Sequence, residues 1–351
     1  MAVGLLLPRG AWSALGDERC CTEMESLFSL QLPNGFLPHM GYQSDPERSL
    51  SLWRTAGRSD ITQPPMYGHA LRVLAGRGFG GEHLHEPAAN ALGWLFQKRR
   101  DPHAGLIRIV HPWESGRDDS PRWDGWEPRR FNERRWNRRK RELVGSLVLS
   151  DGAATANPEF EVAPAGFNAL VAFNARELAE LTGYKELQEQ ADALTAALGA
   201  RWTDEQKTWG DLRVCGRGTG ALAPTLDGLL AVLVSGDERL LEAAFAEVFD
   251  TERFWRSFGP SGTAADDPTY EPRRYWRGDA WPQEIYLLMV AARRRGRHDA
   301  ARRLAEKLVT GCTRSCSAER WSPESGAALG AVPQGWAALA SEGARVLCDG
   351  R

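Results

Sequence analysis

The stretch Gly166-Phe-Asn-Ala-Leu-Val-Ala-Phe-Asn-Ala-Arg-Glu-Leu-Ala-Glu-Leu181 carries apolar or small residues on nearly every side of a helical wheel for its first turns. A helix of that kind is surrounded by protein and does not lie on a surface. Thr182-Gly183 stops it, because a glycine just past the last periodic residue takes the left-handed cap. The charged Lys185-Glu186-Leu-Gln-Glu-Gln190 then opens a second helix at once. The same couple returns twice. Leu226 to Val234 ends at Ser235-Gly236 before an Asp237-Glu238 start, and Trp281 to Arg295 ends at Gly296 before a more polar helix. In each couple the first member is the drier one. That asymmetry places first members in an inner ring and second members in an outer ring, and stacked antiparallel hairpins of this kind close into an α/α toroid.

Working outward, helical periodicity predicts further elements over roughly 17–32, 61–76, 87–100, 138–150, 237–249, 298–313 and 332–347, while strand-like alternation is scarce. The spacing of the pairs is irregular, which argues against an open solenoid with a fixed repeat. A closed ring has one core, so residues 1–351 read as a single catalytic domain despite a length that ordinarily means two. The long non-helical stretches mostly follow outer helices and precede inner ones. They are therefore expected at one mouth of the ring, where function-bearing loops gather.

Composition narrows the class of function. A formal charge of −2 argues against a general polyanion binder, and the basic run from Arg129 to Arg141 reads as a solvated or Glu-paired helix start. No stretch is long enough to cross a bilayer, and Met1–Arg9 lacks the basic opening of a signal peptide. Six scattered Cys, none spaced with His as a zinc site, read as free thiols in a reducing compartment. The expectation is a cytoplasmic protein with no cofactor, no metal, and neither nucleic acid nor membrane as partner.

The chemistry concentrates in His111-Pro-Trp-Glu-Ser-Gly-Arg-Asp-Asp-Ser-Pro-Arg-Trp-Asp124. So many charges are not buried without partners, and two indoles are too many for an ordinary solvated loop. Carboxylates, guanidinium forks and flat rings together are what a sugar site requires. This segment offers Glu114, Asp118, Asp119 and Asp124, and Ala318-Glu-Arg-Trp-Ser-Pro-Glu-Ser-Gly326 offers Glu319 and Glu324 beside Trp321. Two carboxylates from distant loops converging on one cleft are the machinery of glycoside hydrolysis. Three more pieces complete the set. In Tyr275-Trp-Arg-Gly-Asp-Ala-Trp-Pro-Gln283, Trp276 and Trp281 are candidates to stack on pyranose faces, with Arg277 and Gln283 binding hydroxyls. Ser59 to Tyr67 contributes Gln63 and Tyr67, and Asn34 to His39 is a loop whose histidine reads as structural.

These five motifs, in this order, resemble glycoside hydrolase family 63 of the six-hairpin α/α toroid glycosidases, and within it the bacterial branch that includes mannosylglycerate and glucosylglycerate hydrolases. The resemblance implies an (α/α)6 toroid and an inverting hydrolase acting on an α-linked small glycoside such as a glucosyl- or mannosyl-glycerate. It implies Asp118, after Ser-Gly-Arg, as general acid and Glu319, in Glu-Arg-Trp-Ser-Pro-Glu-Ser-Gly, as general base. Candidate substrate contacts are Gln63, Tyr67, His111, Trp113, Glu114, Asp119, Arg122, Trp276, Arg277, Trp281, Gln283 and Trp321, with Asp119 also expected to help hold the proton on Asp118. A toroid that binds sugar or a protein partner without cleaving it, and an epimerase on the same frame, are the rival readings. Two departures stand out. Asp279 replaces the proline of the family's Gly-Pro, and residues 1–16 lack the family's Trp-Asp inner helix. Only five inner helices are counted, so the first is expected to be degenerate or truncated, with lower stability and weaker sugar binding as the consequence.

Overall fold

The computed structural model describes residues 19–126, 130–215 and 223–349. Ten α-helices run through them: α1 (Arg19–Phe28), α2 (Tyr67–Gly76), α3 (His85–Lys98), α4 (Glu133–Gly145), α5 (Ala165–Thr182), α6 (Lys185–Gly199), α7 (Glu238–Val248), α8 (Pro282–Arg294), α9 (His298–Arg314) and α10 (Ala340–Asp349). Two 3-10 helices, Leu226–Leu233 and Gly335–Leu339, stand in inner positions. Neighbouring inner elements pack in the order α2, α5, 226–233, α8 and 335–349, while α6 backs α5 and α9 backs α8. The stretch that opened the sequence reading is buried along nearly its whole length from Ala165 to Ala179. Gly183 at φ 78° caps it as expected. Residues 1–16, which the sequence reading took as either a degenerate or a truncated first inner helix, lie outside the described residues.

Close approach of the inner elements depends on two glycines. A Cβ on Gly68 would meet the Asn174 carbonyl oxygen at 2.2 Å, and one on Gly166 would meet the Asp227 carbonyl oxygen at 2.6 Å. Asn174 also serves the start of α2. Its Oδ1 accepts from His69 N at 2.9 Å, and its Nδ2 donates to Pro65 O at 2.8 Å. The sequence reading began this helix at 61, but Pro64-Pro65 removes two donors and forces extended backbone before it, so the helix opens at Tyr67. The helix expected over 138–150 begins earlier, because Asn132 Oδ1 caps it by accepting from Arg135 N at 3.1 Å. Residues Val148–Ser150 form a strand instead.

Five two-stranded antiparallel ribbons fill the connections after the outer helices. Val148–Ser150 pairs with Ala153–Ala156, Glu161–Ala163 with Leu212–Cys215, and Trp202–Thr203 with Thr208–Trp209. Trp255–Arg256 pairs with Gly259–Pro260, and Arg320–Trp321 with Ala328–Leu329. A single bridge joins Ala280 to Trp321, setting the segment before α8 against the one carrying Glu319. Among the described residues no helix is long and apolar enough to cross a membrane.

Candidate active site

The turn bearing Asp118 is held from three directions. Gly116 adopts φ 70°, a left-handed conformation that suits glycine, and ends a short 3-10 helix over Pro112–Ser115. Trp123 Nε1 donates to Arg117 O, and Trp136 Nε1, from α4, donates to Asp118 O, each at 2.7 Å. The Arg117 side chain turns inward, donating to Glu284 Oε1 of α8 at 2.9 Å and passing 3.5 Å from Asp227 Oδ2. Asp118 borders a cleft of about 430 Å³, together with Asp119, Lys140, Arg273, Arg274, Tyr275, Arg277 and Arg320. That volume is in the range of small-molecule sites.

Six carboxylates were candidates, and the structure separates them by their partners. Glu114 is buried against Arg99, with oxygens 2.7 and 2.8 Å from its guanidinium nitrogens, and accepts from Thr62 N and Val110 N as well. Asp119 takes Lys140 Nζ at 2.5 Å. Asp124 takes both Nη atoms of Arg277, at 2.8 and 2.7 Å. Glu324 takes Arg256 Nε at 2.6 Å and the Tyr270 hydroxyl at 2.7 Å. Among the described residues, Asp118 and Glu319 alone of the six make no ion pair.

Their surroundings differ in the way an acid and a base require. Burial pushes the Asp118 carboxyl up to about 6, against the pull of the Lys140 charge, with Asp119 adding to the rise. The expectation that Asp119 holds the proton is thus a secondary effect behind desolvation. Asp118 Oδ1 is covered and has no hydrogen-bond partner. Glu319 is half-buried, and its Oε2 accepts from Ala331 N at 3.2 Å. The loop following it closes tightly, for Gly330 sits at φ +74° where a Cβ would come within 2.0 Å of Oε2. Glu319 does not itself line the cleft, whereas its neighbour Arg320 does. Both carboxylates reach Tyr275. After burial, the charges of Asp118 and then Glu319 are what push its hydroxyl above the ordinary range.

A second, smaller hollow of about 40 Å³ lies among Gln63, Ser115, Gly116, Arg117, Trp276, Gln283 and Trp336. Its lining is rich in buried polar atoms without hydrogen-bond partners among the described residues: Gln63 Nε2, both amide atoms of Gln283, and the indole nitrogens of Trp276 and Trp336. Orphaned buried donors cost stability unless something else satisfies them, and sugar hydroxyls have the right chemistry. The two spaces share no residue but draw on the same segments: 115–117 and Trp276 line the hollow, while Asp118, Tyr275 and Arg277 line the cleft.

Several expected contacts belong to the scaffold. Trp281 is fully buried, with Trp276 stacked on it at 3.7 Å and 6°, so its face is not free for a sugar. Trp321 is equally buried and donates to Phe258 O at 2.7 Å. His111 is enclosed, with Nε2 2.8 Å from Lys140 O, and burial drives its imidazole down to about 3. Arg122 is locked between Asp211 and Asp227 at 2.7 and 2.6 Å. Tyr67 is buried edge-on to Phe28, and Trp113 packs on His111 and Trp53, both away from the two spaces. Glu114 is spent on Arg99. Gln63, Trp276 and Gln283 meet at the hollow, while Asp118, Asp119 and Arg277 meet at the cleft. Sequence reasoning passed over Tyr275, Arg320, Glu284 and Trp336. Tyr275 opens a quoted motif and Arg320 adjoins Glu319, so their positions were visible. Glu284 shows only as a lone carboxylate in an apolar first turn.

The comparisons with known proteins agree with this frame. A family model described as a mannosylglycerate hydrolase MGH1-like glycoside hydrolase domain matches residues 10–337. The chain is 26% identical to a glucosylglycerate hydrolase of Mycolicibacterium hassiacum, over 93% of this chain and 87% of that one. It is 28% identical to a mannosylglycerate hydrolase of Rubrobacter radiotolerans, over 93% and 86%. A crystal structure of a glycoside hydrolase family 63 mannosylglycerate hydrolase from Thermus thermophilus, in complex with glucose, has the same fold. It superposes with a TM-score of 0.78 at 24% identity, over 97% of this chain and 91% of that one. A match that runs from residue 10 to residue 337 of a chain folded as a ring of helical hairpins makes this protein a member of the MGH1-like glycoside hydrolase family.

Proposed function

We propose that the protein hydrolyses an α-linked glucosyl- or mannosyl-glycerate with inversion, using Asp118 as general acid and Glu319 as general base. The observation that carries the assignment is the partner census: four of the six candidate carboxylates are tied to cations, and the two left free are Asp118 and Glu319. A carboxyl raised to about 6 is neutral in mildly acidic solution and has a proton to give the glycosidic oxygen. Glu319 takes the proton of a water that attacks the anomeric carbon from the opposite face. Gln63, Gln283 and Trp276 orient the sugar through polar atoms that nothing else satisfies.

The charge of the cleft supports an acidic leaving half. Lys140, Arg273, Arg274, Arg277 and Arg320 border it against the carboxylates of Asp118, Asp119 and Glu133, and while the other four cations are ion-paired, exposed Arg273 makes no ion pair or hydrogen bond among the described residues. The two full-length relatives named above act, by their names, on glycosylglycerates. The six cysteines form no disulfide among the described residues, which fits a reducing compartment, and we place the activity in the cytoplasm.

Steady-state assays with glucosylglycerate, mannosylglycerate and a neutral aryl α-glucoside test this reading. Turnover of a glycosylglycerate is expected, falling by about 10²–10⁴-fold in Asp118→Asn and in Glu319→Gln. Full turnover by either variant, or no turnover of either glycosylglycerate, contradicts it.

A further inference from the structure

Beside the proposed base lies a buried carboxylate that the reaction above does not use. Asp279 is fully buried, and among the described residues neither of its carboxyl oxygens has a well-aligned hydrogen bond, although the Tyr275 backbone N–H lies near enough to favour the ionised form. Arg320 Nη1 approaches Asp279 Oδ2 at 3.0 Å, an ion pair without hydrogen-bond alignment. The guanidinium lies over Tyr275 and Trp281, 5.0 and 5.6 Å from their ring centroids, and borders the cleft that holds Asp118. The antiparallel bridge between Ala280 and Trp321 puts residues 279 and 320 on the same face of the two segments, diagonal to one another, so the backbone brings their side chains near. Arg320 Nε and Nη1 are likewise without hydrogen bonds. A guanidinium fork is thus backed by a buried carboxylate, with aromatic rings holding its plane and the cleft in front of it. Such a fork matches a carboxylate in geometry as well as in charge.

We propose that Arg320 contacts the anionic group on the leaving half of the substrate, and that Asp279 is the positioning residue that sets how much positive charge Arg320 presents there. This rests on the reading of the substrate as a glycosylated acid. With Asp279 neutral, the charge on Arg320 is available to the ligand. With Asp279 ionised, that charge is already partly answered from behind. The charged and titratable groups facing Asp279 are Arg320 and Arg273, which favour its ionised form, and Glu319, which opposes it. The Tyr270 hydroxyl also feels its charge. Burial outweighs the cations and pushes the carboxyl up to about 7. Affinity for an anionic substrate is therefore highest below neutrality and falls as pH rises through that region. Asp118 ionises lower, near 6, and adds its own negative charge to the cleft. An Asp279 variant separates the two effects.

The experiment measures KM for the better glycosylglycerate and for neutral p-nitrophenyl α-glucoside across this pH range, in the wild type, Asp279→Asn and Arg320→Gln. The ratio of anionic to neutral KM is expected to rise severalfold between about pH 6 and pH 8 in the wild type, and to lose its rise near 7 in Asp279→Asn. Arg320→Gln is expected to raise the anionic KM about tenfold or more at low pH while moving the neutral KM far less. A wild-type ratio that stays flat, or an Arg320→Gln variant that raises both KM values equally, overturns the proposal. Should Asp279→Asn not fold, binding of D-glycerate and glycerol to Asp118→Asn, which lacks the other ionising carboxyl, provides the reading: glycerate alone is expected to weaken as pH rises through about 7, and a flat profile overturns the proposal. Hydrolysis of glycosylglycerate without charge discrimination sinks this inference only. Hydrolysis of neutral glycosides alone sinks the substrate reading itself.

Discussion

At the scale of single residues, the account turns on which carboxylates are left unpaired. Because Asp118 must be protonated to act and its pKa is raised to about 6, kcat/KM is expected to fall as pH rises through that value. Asp119→Asn removes a negative neighbour and releases the Lys140 charge that Asp119 now neutralises. Both changes favour ionised Asp118, so the basic limb of the pH–rate profile should move to lower pH. An unmoved limb would show that the pair does not communicate. The family resemblance singled out Asp118 and Glu319, but residue chemistry and spacing alone had no means of telling them from Glu114, Asp124 or Glu324. What separates them is tertiary. Arg99, Arg277 and Arg256 stand in other segments, and each arrives at its carboxylate only through the fold. The tryptophans misled for a related reason. An aromatic in a glycine-rich segment reads as a binding surface, yet Trp281 and Trp321 are the floor on which the loops rest.

At the scale of elements, α4 holds the acid-bearing turn from outside the ring. The Trp136 indole reaches the carbonyl of Asp118 itself, so Trp136→Phe should lower kcat by about tenfold through a loosened acid while costing only about 1 kcal/mol in urea unfolding. An unchanged kcat would assign the indole to stability alone. The Arg99–Glu114 pair joins the end of α3 to the start of the same loop in full burial. Removing one charge strands the other, and Glu114→Gln should cost about 3–5 kcal/mol in chemical denaturation. Helix identities were largely legible, since apolar faces and glycine stops are local signals. Their starts were not. The start of α2 is supported by Asn174 from a different helix, a partner far along the chain.

At the scale of the whole molecule, three inner helices are pinned through one buried group. His69 of α2 places Nδ1 2.9 Å from Glu177 Oε2 of α5 and Nε2 2.8 Å from the Tyr286 hydroxyl of α8. Burial opposes the charge on Glu177, but the hydrogen bonds from His69 and Arg294 prevail and hold it at about 2. A carboxylate with a lowered folded pKa contributes stability that is present above its ordinary value of 4.5 and drains away as pH falls from there toward 2. Glu177→Gln should therefore be less stable than the wild type at neutral pH and lose less further stability on acidification through this range. Parallel acid-unfolding curves for the two proteins would refute that. The ring was readable from the dry-then-charged helix couples, and five of its inner elements stand where the sequence placed them. Residues 1–16, expected to be a degenerate or truncated first inner helix, lie outside what the structure describes.

The most direct test of the central claim is proton NMR of freshly hydrolysed glucosyl- or mannosyl-glycerate, followed before the released sugar mutarotates. Asp118 as acid and Glu319 as base of an inverting hydrolysis predict the β-anomer as the first product of the wild type, and no burst of either anomer from Asp118→Asn or Glu319→Gln. An initial α-anomer, or normal product from either variant, would contradict the assignment.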